Sequence, residues 1–264
     1  MKLTVLTDNN TYIDRYFLGE PAFSCFLETG GRRVLLDTGY SDVFLKNAGK
    51  LGLPAADSDF VVLSHGHNDH TGGLRPLMAA MGDRRSALVA HPAVFESKFD
   101  GGEPVGSPVT AEELSERFDL RLSAEPVWLT ERLVFLGEIP ELAEPRMPVG
   151  TLSDGSPDRC LDDSALAYRG ENGVYIVTGC SHSGICNIAE YAKQVTGQRR
   201  VAGILGGFHL LERDRRSRRA LEYLEREAVG ELWPCHCTGF RVRAEMARTM
   251  DIGEVGVGLE LEWK

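Results

Sequence analysis

The run His65-Gly66-His67-Asn68-Asp69-His70 is the most constraining feature of this sequence. It places four titratable side chains within six residues, directly after the apolar segment FVVLS. A short apolar segment of this kind is typical of a buried strand. Burying several titratable groups beside a strand is unfavourable unless a charged partner compensates for the lost hydration. The sequence therefore predicts a metal-binding loop at the end of a β-strand.

Three further histidines follow apolar segments in the same way. His182 comes after VYIVTGCS, His209 after GILGGF and His236 after ELWPC. Strand ends on one edge of an α/β sheet lie side by side, so side chains that are distant in sequence can meet in one crevice there. We therefore expect these three histidines to lie close to the histidine run.

The spacing within the run divides its ligands between two metal ions. Residues two apart in an extended segment point the same way, so His65 and His67 are predicted to bind one ion. Asp69 and His70 then turn towards a second ion. His182 and His236 are the natural remaining ligands, one for each ion. The predicted ligand set is His65, His67, Asp69, His70, His182 and His236.

Imidazole and carboxylate ligands suit divalent first-row metals, and zinc is the first expectation, with iron or manganese as alternatives. Two such ions about 3.5 to 4 Å apart can share a bridging water and lower its pKa towards neutrality. The predicted mechanism uses a metal-activated hydroxide as nucleophile or base. Asp69 and His209 are the predicted catalytic residues, and His209 is either a general acid to a leaving group or a seventh ligand.

Strand-like and helix-like segments alternate through the last hundred residues, which is typical of an α/β protein. We expect one domain over residues 1–264. Its weakest pattern lies at about 95–163, where seven prolines interrupt any long element. A segment of this kind is either a lid over the binding site or a solvent-exposed insertion without a role, and we favour the lid.

Composition excludes several classes of protein. With 39 acidic and 29 basic residues the formal net charge is -10, which disfavours a nucleic-acid partner. No apolar stretch approaches the ~20 residues that span a bilayer, and the N-terminal segment MKLTVLTDNN resembles a strand rather than a signal peptide. We expect a cytoplasmic protein with no membrane partner, and its six cysteines to be reduced thiols.

The segments HGHNDHTGGL and LLDTG resemble the metal-binding signature and the first motif of the metallo-β-lactamase superfamily. The resemblance spans nearly the whole chain and implies an α/β fold, an αββα four-layer sandwich with the site at the sheet edges. It also implies that Asp37, within LLDTG, supports the metal loop from behind rather than binding metal.

Later segments, TGCSHSGICNI and GGFHLL, are similar to the subgroup named for dihydropterin-ribofuranosylaminobenzene-phosphate synthase. The reaction that this resemblance implies joins a dihydropterin pyrophosphate to a ribofuranosyl aminobenzene phosphate and releases pyrophosphate. The sequence departs from the superfamily pattern at Cys180, where many members have a metal-bridging aspartate. Either Cys180 is a soft ligand, or His182 compensates for the missing carboxylate. Asp162 or Asp163 lies where relatives often have a histidine ligand, and Asp163 is kept as a possible ligand.

Several other side chains have two interpretations. Cys235 and Cys237 flank His236, and we expect them to be small buried residues that face away from it. The cluster RDRRSRR from Arg213 either holds a substrate phosphate or forms a solvated helix face, and we favour the helix face. His91 is either a pocket residue or a capped loop residue. The aromatic residues Trp128, Phe208 and Phe240 either stack on a flat ring or belong to the core.

Three functions are compatible with these patterns. The leading one is a dinuclear-metal hydrolase that acts on a small molecule bearing phosphate or pyrophosphate. The second is the synthase reaction, a transfer that releases pyrophosphate in place of hydrolysis. The third is a non-catalytic metal or redox sensor that uses Cys180 beside iron. The sequence identifies neither the substrate nor the oligomeric state.

Overall fold

The computed structural model describes residues 1–264, and its first elements follow directly from the local sequence. Strands Ser24–Thr29 and Arg32–Leu36 form a hairpin closed by Gly30 and Gly31, whose φ angles are 57° and 70°. A two-residue hairpin turn of this kind needs positive φ at both positions, which glycine adopts without a steric penalty. The two strands accordingly pair in antiparallel register.

Sixteen strands and seven helices follow one another along the chain. The strands are β1 (Lys2–Thr7), β2 (Ser24–Thr29), β3 (Arg32–Leu36), β4 (Phe60–Val62), β5 (Ser86–Ala90), β6 (Lys98–Asp100), β7 (Glu103–Pro104), β8 (Phe118–Leu122), β9 (Val127–Trp128), β10 (Leu133–Phe135), β11 (Thr151–Leu152), β12 (Ala165–Arg169), β13 (Val174–Thr178), β14 (Val201–Gly207), β15 (Glu231–Cys235) and β16 (Glu260–Glu262). The helices are α1 (Val43–Leu51), α2 (Asn68–Thr71), α3 (Leu74–Ala80), α4 (Ala111–Ser115), α5 (Ile185–Thr196), α6 (Arg215–Arg226) and α7 (Phe240–Met246).

Two large mixed sheets contain most of the strands. The first has the order β16-β1-β2-β3-β4-β5-β8, and its strands from β3 to β8 run parallel. The second has the order β15-β14-β13-β12-β10-β9, and β13, β14 and β15 run parallel. A small third sheet has the order β11-β6-β7.

Side-chain alternation along the strands builds three apolar cores. In β3, Leu36 faces the second sheet and Leu35 faces α1 and α3; in β13, Val177 faces the first sheet and Ile176 faces α5 and α6. Each sheet therefore has two buried faces, one against the other sheet and one against helices. The layers run helix, sheet, sheet, helix, and the predicted αββα sandwich is confirmed.

The segment at 95–163 contributes strands to all three sheets. β8 extends the first sheet, β9 and β10 extend the second, and β6, β7 and β11 make the third. Asp100, Val105 and Val149 from this segment line the cavity described below. Their position supports the lid function, which we keep as a proposal.

No helix in the structure combines the length and the apolar composition that crossing a membrane requires.

Candidate metal centre

The ends of four strands bring the predicted ligands together. His182, His209 and His236 follow β13, β14 and β15, which belong to the second sheet. The histidine run follows β4 of the first sheet. The expectation of neighbouring strand ends on a single sheet edge is therefore wrong in its detail. The ligands still meet, because sheets packed face to face lie only ~10 Å apart.

A buried ion network holds the loop that carries the histidine run. The backbone N–H of Gly66 donates to Asp162 Oδ2 at 2.7 Å, and Lys98 Nζ donates to Asp162 Oδ1 and to Asp158, each at 2.9 Å. A Cβ added to Gly66 would lie 2.0 Å from the carbonyl oxygen of Val94, so only glycine fits there. The loop is thus fixed from behind by charges that are almost completely buried.

His65, His67 and His182 form what we call the three-imidazole group. Each offers a ring nitrogen, and these nitrogens lie within 4.8 Å of one another. His65 Nε2 and His67 Nδ1 are 3.1 Å apart, while His67 Nε2 and both ring nitrogens of His182 are buried without a hydrogen-bond partner. Burial, reinforced by the neighbouring imidazoles, lowers the pKa of His65 and of His182 well below the ordinary range. Neutral buried imidazoles with free nitrogens fit a bound cation.

Asp69, His70, Cys180 and His236 form a second set, which we call the mixed group. Their ligand atoms also lie within 4.8 Å of one another. Asp69 Oδ2 is 3.6 Å from His70 Nε2 and 3.3 Å from His236 Nε2, and Cys180 Sγ is 3.3 Å from His70 Nε2. Although burial opposes it, the two imidazoles hold the pKa of Asp69 below its usual value. The combination of carboxylate, thiol and imidazole fits a divalent ion.

Asp37 orients one member of the mixed group. Its Oδ2 lies 2.7 Å from His70 Nδ1, and its two oxygens accept hydrogen bonds of 2.7 Å from the N–H and the hydroxyl of Ser64. A carboxylate behind a histidine in this way fixes the ring and leaves the other nitrogen for a metal. Asp37 therefore has the supporting position that the family resemblance implies.

His236 is held by two residues that the sequence reasoning missed. Its backbone N–H donates to Asp8 Oδ1, and its Nδ1 lies beside Asn9 Oδ1, both at 2.9 Å. These contacts leave His236 Nε2 facing Asp69, without a hydrogen-bond partner. The polar run Asp8-Asn9-Asn10 directly after β1 was the available signal, because it resembles the other polar strand ends.

His209 lies beside the three-imidazole group rather than within it. Its ring centroid is 4.3 Å from that of His182, and it forms a third set of close ligand atoms with Cys180 and His182. His209 Nδ1 is buried and has no hydrogen-bond partner. His209 is therefore placed at the metal centre, as a further ligand or as a proton carrier.

Two sequence-based interpretations concern cysteine and aspartate. Cys237 does not face away from the site as expected: it lines the cavity, and its thiol lies 3.6 Å from the backbone oxygen of Cys180. The expectation fails because the chain turns at His236, where φ is 48°, so that strand alternation ends there.

Asp163 belongs to no ligand set. Its Oδ2 accepts a hydrogen bond from the N–H of Ser183 at 2.9 Å and so holds the turn beside His182.

The remaining histidine, His91, lies outside the ligand sets. Its Nδ1 accepts a hydrogen bond from the N–H of Ala93 and caps a short 3-10 helix. This is the capped loop residue that was one of its two interpretations. His91 provides a matched control for substitutions at the centre, since it is a buried histidine with a local structural role.

A cavity of about 670 Å³ opens onto both ligand groups. His67, Asp69, Cys180, His182 and His236 line its floor. This volume is sufficient for a small organic substrate.

Comparisons with known proteins identify the family of the chain. Residues 19–193 match the family described as the metallo-beta-lactamase superfamily. The uncharacterized protein MJ0448 of Methanocaldococcus jannaschii is 31% identical over 264 residues, which cover 96% of this chain and 98% of that protein. The 7,8-dihydropterin-6-methyl-4-(beta-D-ribofuranosyl)-aminobenzene-5'-phosphate synthase of the same organism is 32% identical over 239 residues, covering 83% of this chain and 81% of the synthase.

A similar solved structure has the same fold over almost its full length. It is that of Tm1679, described as a metal-dependent hydrolase of the beta-lactamase superfamily. The TM-score is 0.86 at 30% sequence identity, and the match covers 99% of this chain and 98% of that one.

Proposed function

This chain belongs to the metallo-beta-lactamase superfamily, and on that premise we propose that it is a dinuclear-metal hydrolase of a small molecule bearing phosphate or pyrophosphate. The superfamily binds metals and includes metal-dependent hydrolases, to which the similar structure of Tm1679 is assigned. The number of ions, the metal and the substrate class are parts of the proposal.

The observation that carries the proposal is that two ligand groups adjoin each other. Cys180 of the mixed group and His182 of the three-imidazole group both belong to the set that includes His209, within 4.8 Å. Ions held in the two groups would be neighbours. Buried ring nitrogens of His67, His182 and His236 have no hydrogen-bond partner, and a bound cation or a polar ligand would provide one.

A pair of divalent ions in this place would supply Lewis-acid chemistry, which polarises phosphoryl oxygens and activates water. The chain itself supplies the geometry. His65, His67 and His182 would hold one ion, and Asp69, Cys180 and His236, together with His70, would hold the other. Nitrogen, oxygen and sulfur ligands in one centre favour zinc, and iron or manganese are alternatives.

His209 is the proposed proton carrier, and Asp69 the proposed catalytic carboxylate. His209 lines the cavity, and its imidazole would donate a proton to the leaving oxygen of a substrate bound there. Asp69, whose side chain is 28% exposed, is the charged ligand closest to incoming substrate. Its carboxylate would orient an attacking water by accepting a hydrogen bond from it.

Substitution His67→Ala tests the proposal, with His91→Ala as the matched control. Both variants, fully folded by circular dichroism, would be analysed for bound metal and for turnover of bis(para-nitrophenyl) phosphate, phosphomonoesters and pyrophosphates. We expect His67→Ala to lose about one ion per chain and at least roughly a hundredfold in turnover, because loss of a ligand should cost more than the roughly 10- to 100-fold typical of losing a residue that only orients a ligand. Full turnover in His67→Ala, or equal losses in His91→Ala, would reject the assigned centre.

A second candidate function is that of the synthase relative, which is 32% identical over 83% of this chain. The same ligand groups would then act on a pyrophosphate leaving group, and transfer of the dihydropterin group to the aromatic acceptor would replace hydrolysis. Product analysis separates the two reactions. A dihydropterin pyrophosphate would be supplied with and without the aromatic acceptor. A synthase forms a joined product when the acceptor is present, whereas a hydrolase only releases pyrophosphate, with or without the acceptor.

A further inference from the structure

A second depression, of about 980 Å³, lies next to the metal cavity. We call it the arginine groove, and the lining residues that matter here are Leu211, Arg213, Arg218, Phe240, Arg241 and Arg248. Leu211 lines both the groove and the metal cavity, so the two depressions adjoin at this residue.

The groove is built on the same two turns that carry His209 and His236. Leu211 follows His209 by two residues, and Phe240 follows His236 by four. The N–H of Gly239 donates to the carbonyl of Leu210 at 2.9 Å, and a Cβ on Gly239 would lie 1.9 Å from the carbonyl oxygen of Leu211. The two turns are therefore in direct backbone contact, and the position of the groove relative to the metal centre is fixed.

The charge of the groove runs against that of the whole chain. Arg213 pairs with Glu245, and Asp214 is engaged by the N–H of Ser217 as a helix cap. The exposed side chains of Arg218, Arg241 and Arg248 have no hydrogen-bond or ion-pair partner. Glu212 is the one lining carboxylate that is likewise free. The groove thus keeps three unpaired guanidinium groups in a protein whose formal net charge is -10.

Some arginines elsewhere on the surface are paired with carboxylates. Arg32 pairs with Asp59, Arg75 with Glu113 and Arg84 with Asp57. Unpaired guanidinium groups gathered beside a ligand cavity suit the bidentate binding of phosphate. Of the cluster RDRRSRR, only Arg213 and Arg218 line the groove among its arginines, and Arg241 and Arg248 come from α7 and the residues just after it.

Two large apolar side chains are exposed at the same place. Phe240 is 77% exposed and Leu211 is 57% exposed. A flat ring covering Phe240 would remove apolar surface from water and add a stacking contact. Guanidinium groups and an exposed aromatic ring together favour a ligand that carries both an anion and a ring.

We propose that the arginine groove is a second substrate subsite, which binds a phosphomonoester and an adjoining aromatic ring while the reacting end of the same molecule lies at the metal centre. This inference rests on the proposed function and deepens it. It states that the substrate is elongated, with an anionic group at the groove as well as a reacting phosphate or pyrophosphate at the metals.

Phenyl phosphate is a suitable probe, with inorganic phosphate and phenol for comparison. Calorimetric titration would use the full chain, metal-loaded, as wild type and as the combined variant Arg218→Ala/Arg241→Ala/Arg248→Ala. The matched control is Arg32→Ala/Arg75→Ala/Arg84→Ala, which removes the same charge elsewhere. We expect the groove variant to bind phenyl phosphate at least about tenfold more weakly, and the control to change less than about twofold.

The variant Phe240→Ala tests the ring separately. We expect it to weaken the binding of phenyl phosphate about threefold to tenfold and to leave the affinity for inorganic phosphate unchanged, since only the ring contact is lost. Equal weakening in the groove variant and in its charge-matched control would mean a general effect of net charge and would overturn the subsite. Unchanged binding in Phe240→Ala would overturn the aromatic part of the proposal.

His67→Ala distinguishes failure of the subsite from failure of the proposed function. We expect this variant to lose metal and turnover but to retain a groove-dependent affinity for phenyl phosphate. Binding that disappears with His67→Ala and is insensitive to the groove arginines would place the probe at the metals alone, which rejects the subsite and leaves the hydrolase proposal standing. Absence of binding to every form of the protein would reject the subsite directly.

Discussion

The three-imidazole group and the mixed group arise from the same loop, yet they differ in charge and in access. His65, His67 and His182 are almost fully buried and offer only neutral nitrogen ligands. The mixed group adds the carboxylate of Asp69, which is partly exposed, and the thiol of Cys180. Two adjoining sites can thus differ chemically although four of their ligands lie within six residues.

The residues behind the two groups differ as well. A buried lysine with two aspartates holds the loop at Gly66, between the first two imidazoles. A single aspartate, Asp37, orients His70 of the mixed group. The three-imidazole group is supported through the backbone at Gly66, and the mixed group through the ring of His70. The Ser64 hydroxyl, 3.0 Å from His65 Nδ1, also links Asp37 to the first group, but less directly, so substitutions should affect the two ions unequally.

The largest effect is expected for His182→Ala. This change removes the one ligand of the three-imidazole group that comes from the second sheet, and the two remaining imidazoles cannot complete a tetrahedral site. We expect at least about a hundredfold weaker binding of one ion and a parallel loss of turnover, while the second ion stays bound. Elemental analysis after dialysis against graded chelator measures both affinities. If both ions leave together, the two groups are one cooperative site and the distinction is wrong.

Asp37→Asn should act on the other group. The amide cannot accept from His70 and Ser64 with the strength of a carboxylate, so the ring of His70 loses its fixed orientation. We expect the ion of the mixed group to bind roughly 10- to 100-fold more weakly and the first ion to be retained. The same chelator series checks this, and Asp42→Asn, at an exposed carboxylate paired with Lys46, is the control. Preferential loss of the first ion would contradict the assigned role.

Cys180→Ser should have a smaller effect on affinity and a clear spectroscopic one. Burial and the neighbouring Cys237 raise the pKa of the Cys180 thiol well above its usual value, so a metal must displace its proton on binding. We expect about tenfold weaker binding at the mixed group, because three other ligands remain. In cobalt-substituted protein, the thiolate-to-metal absorption band should vanish in Cys180→Ser and persist in Cys237→Ser. A band that depends on Cys237 instead would transfer the ligand role to that residue.

The alternation of strand-like and helix-like segments was sufficient to predict an α/β protein, because it determines which elements pack together. The αββα sandwich itself followed from the resemblance of HGHNDHTGGL and LLDTG to the superfamily motifs. The sequence was also sufficient to predict that His65, His67, Asp69 and His70 lie close together, since they are neighbours along the chain. It did not reveal that the strand ends belong to two facing sheets, which depends on long-range packing. Asp8 and Cys237 were missed for the same reason: each reaches the site through a turn whose direction no periodic pattern encodes.

The surroundings of the arginine cluster RDRRSRR also depend on long-range packing that its local sequence does not encode. Its composition alone fitted a solvated helix face, and six of the seven residues from Arg213 to Arg219 are indeed exposed or half-buried. Only the packing of Leu211 against Gly239 places that face beside the metal cavity. A ligand-facing surface built from two distant turns has no signature in the sequence of either turn.

The smallest expected effect is the pH dependence of the metal-free chain, in which the two groups should act in opposite directions. Burial lowers the pKa of His65 and of His182, so the unfolded chain binds more protons than the folded one near pH 6.5 and below. The free energy of unfolding should therefore fall as the solution becomes more acidic than about pH 6.5. For His70, burial is outweighed by the carboxylates of Asp69 and Asp37, which raise its pKa to about 9.

The stability that His70 contributes is fully present below its unfolded pKa near 6.5 and is lost as the pH rises towards 9. Chelated protein should therefore be most stable near pH 6.5, with a slope of up to about two protons on the acidic limb and up to about one proton on the alkaline limb, at about 1.4 kcal/mol per proton and pH unit. Urea unfolding between pH 5 and pH 9, over about four units, measures both limbs. Asp37→Asn should flatten the alkaline limb alone, because it removes a carboxylate that favours protonated His70, whereas His182→Ala should flatten the acidic limb alone. A single variant that flattens both limbs would show that the imidazoles titrate as one coupled cluster, and the division into two groups would then describe ligand chemistry but not electrostatics.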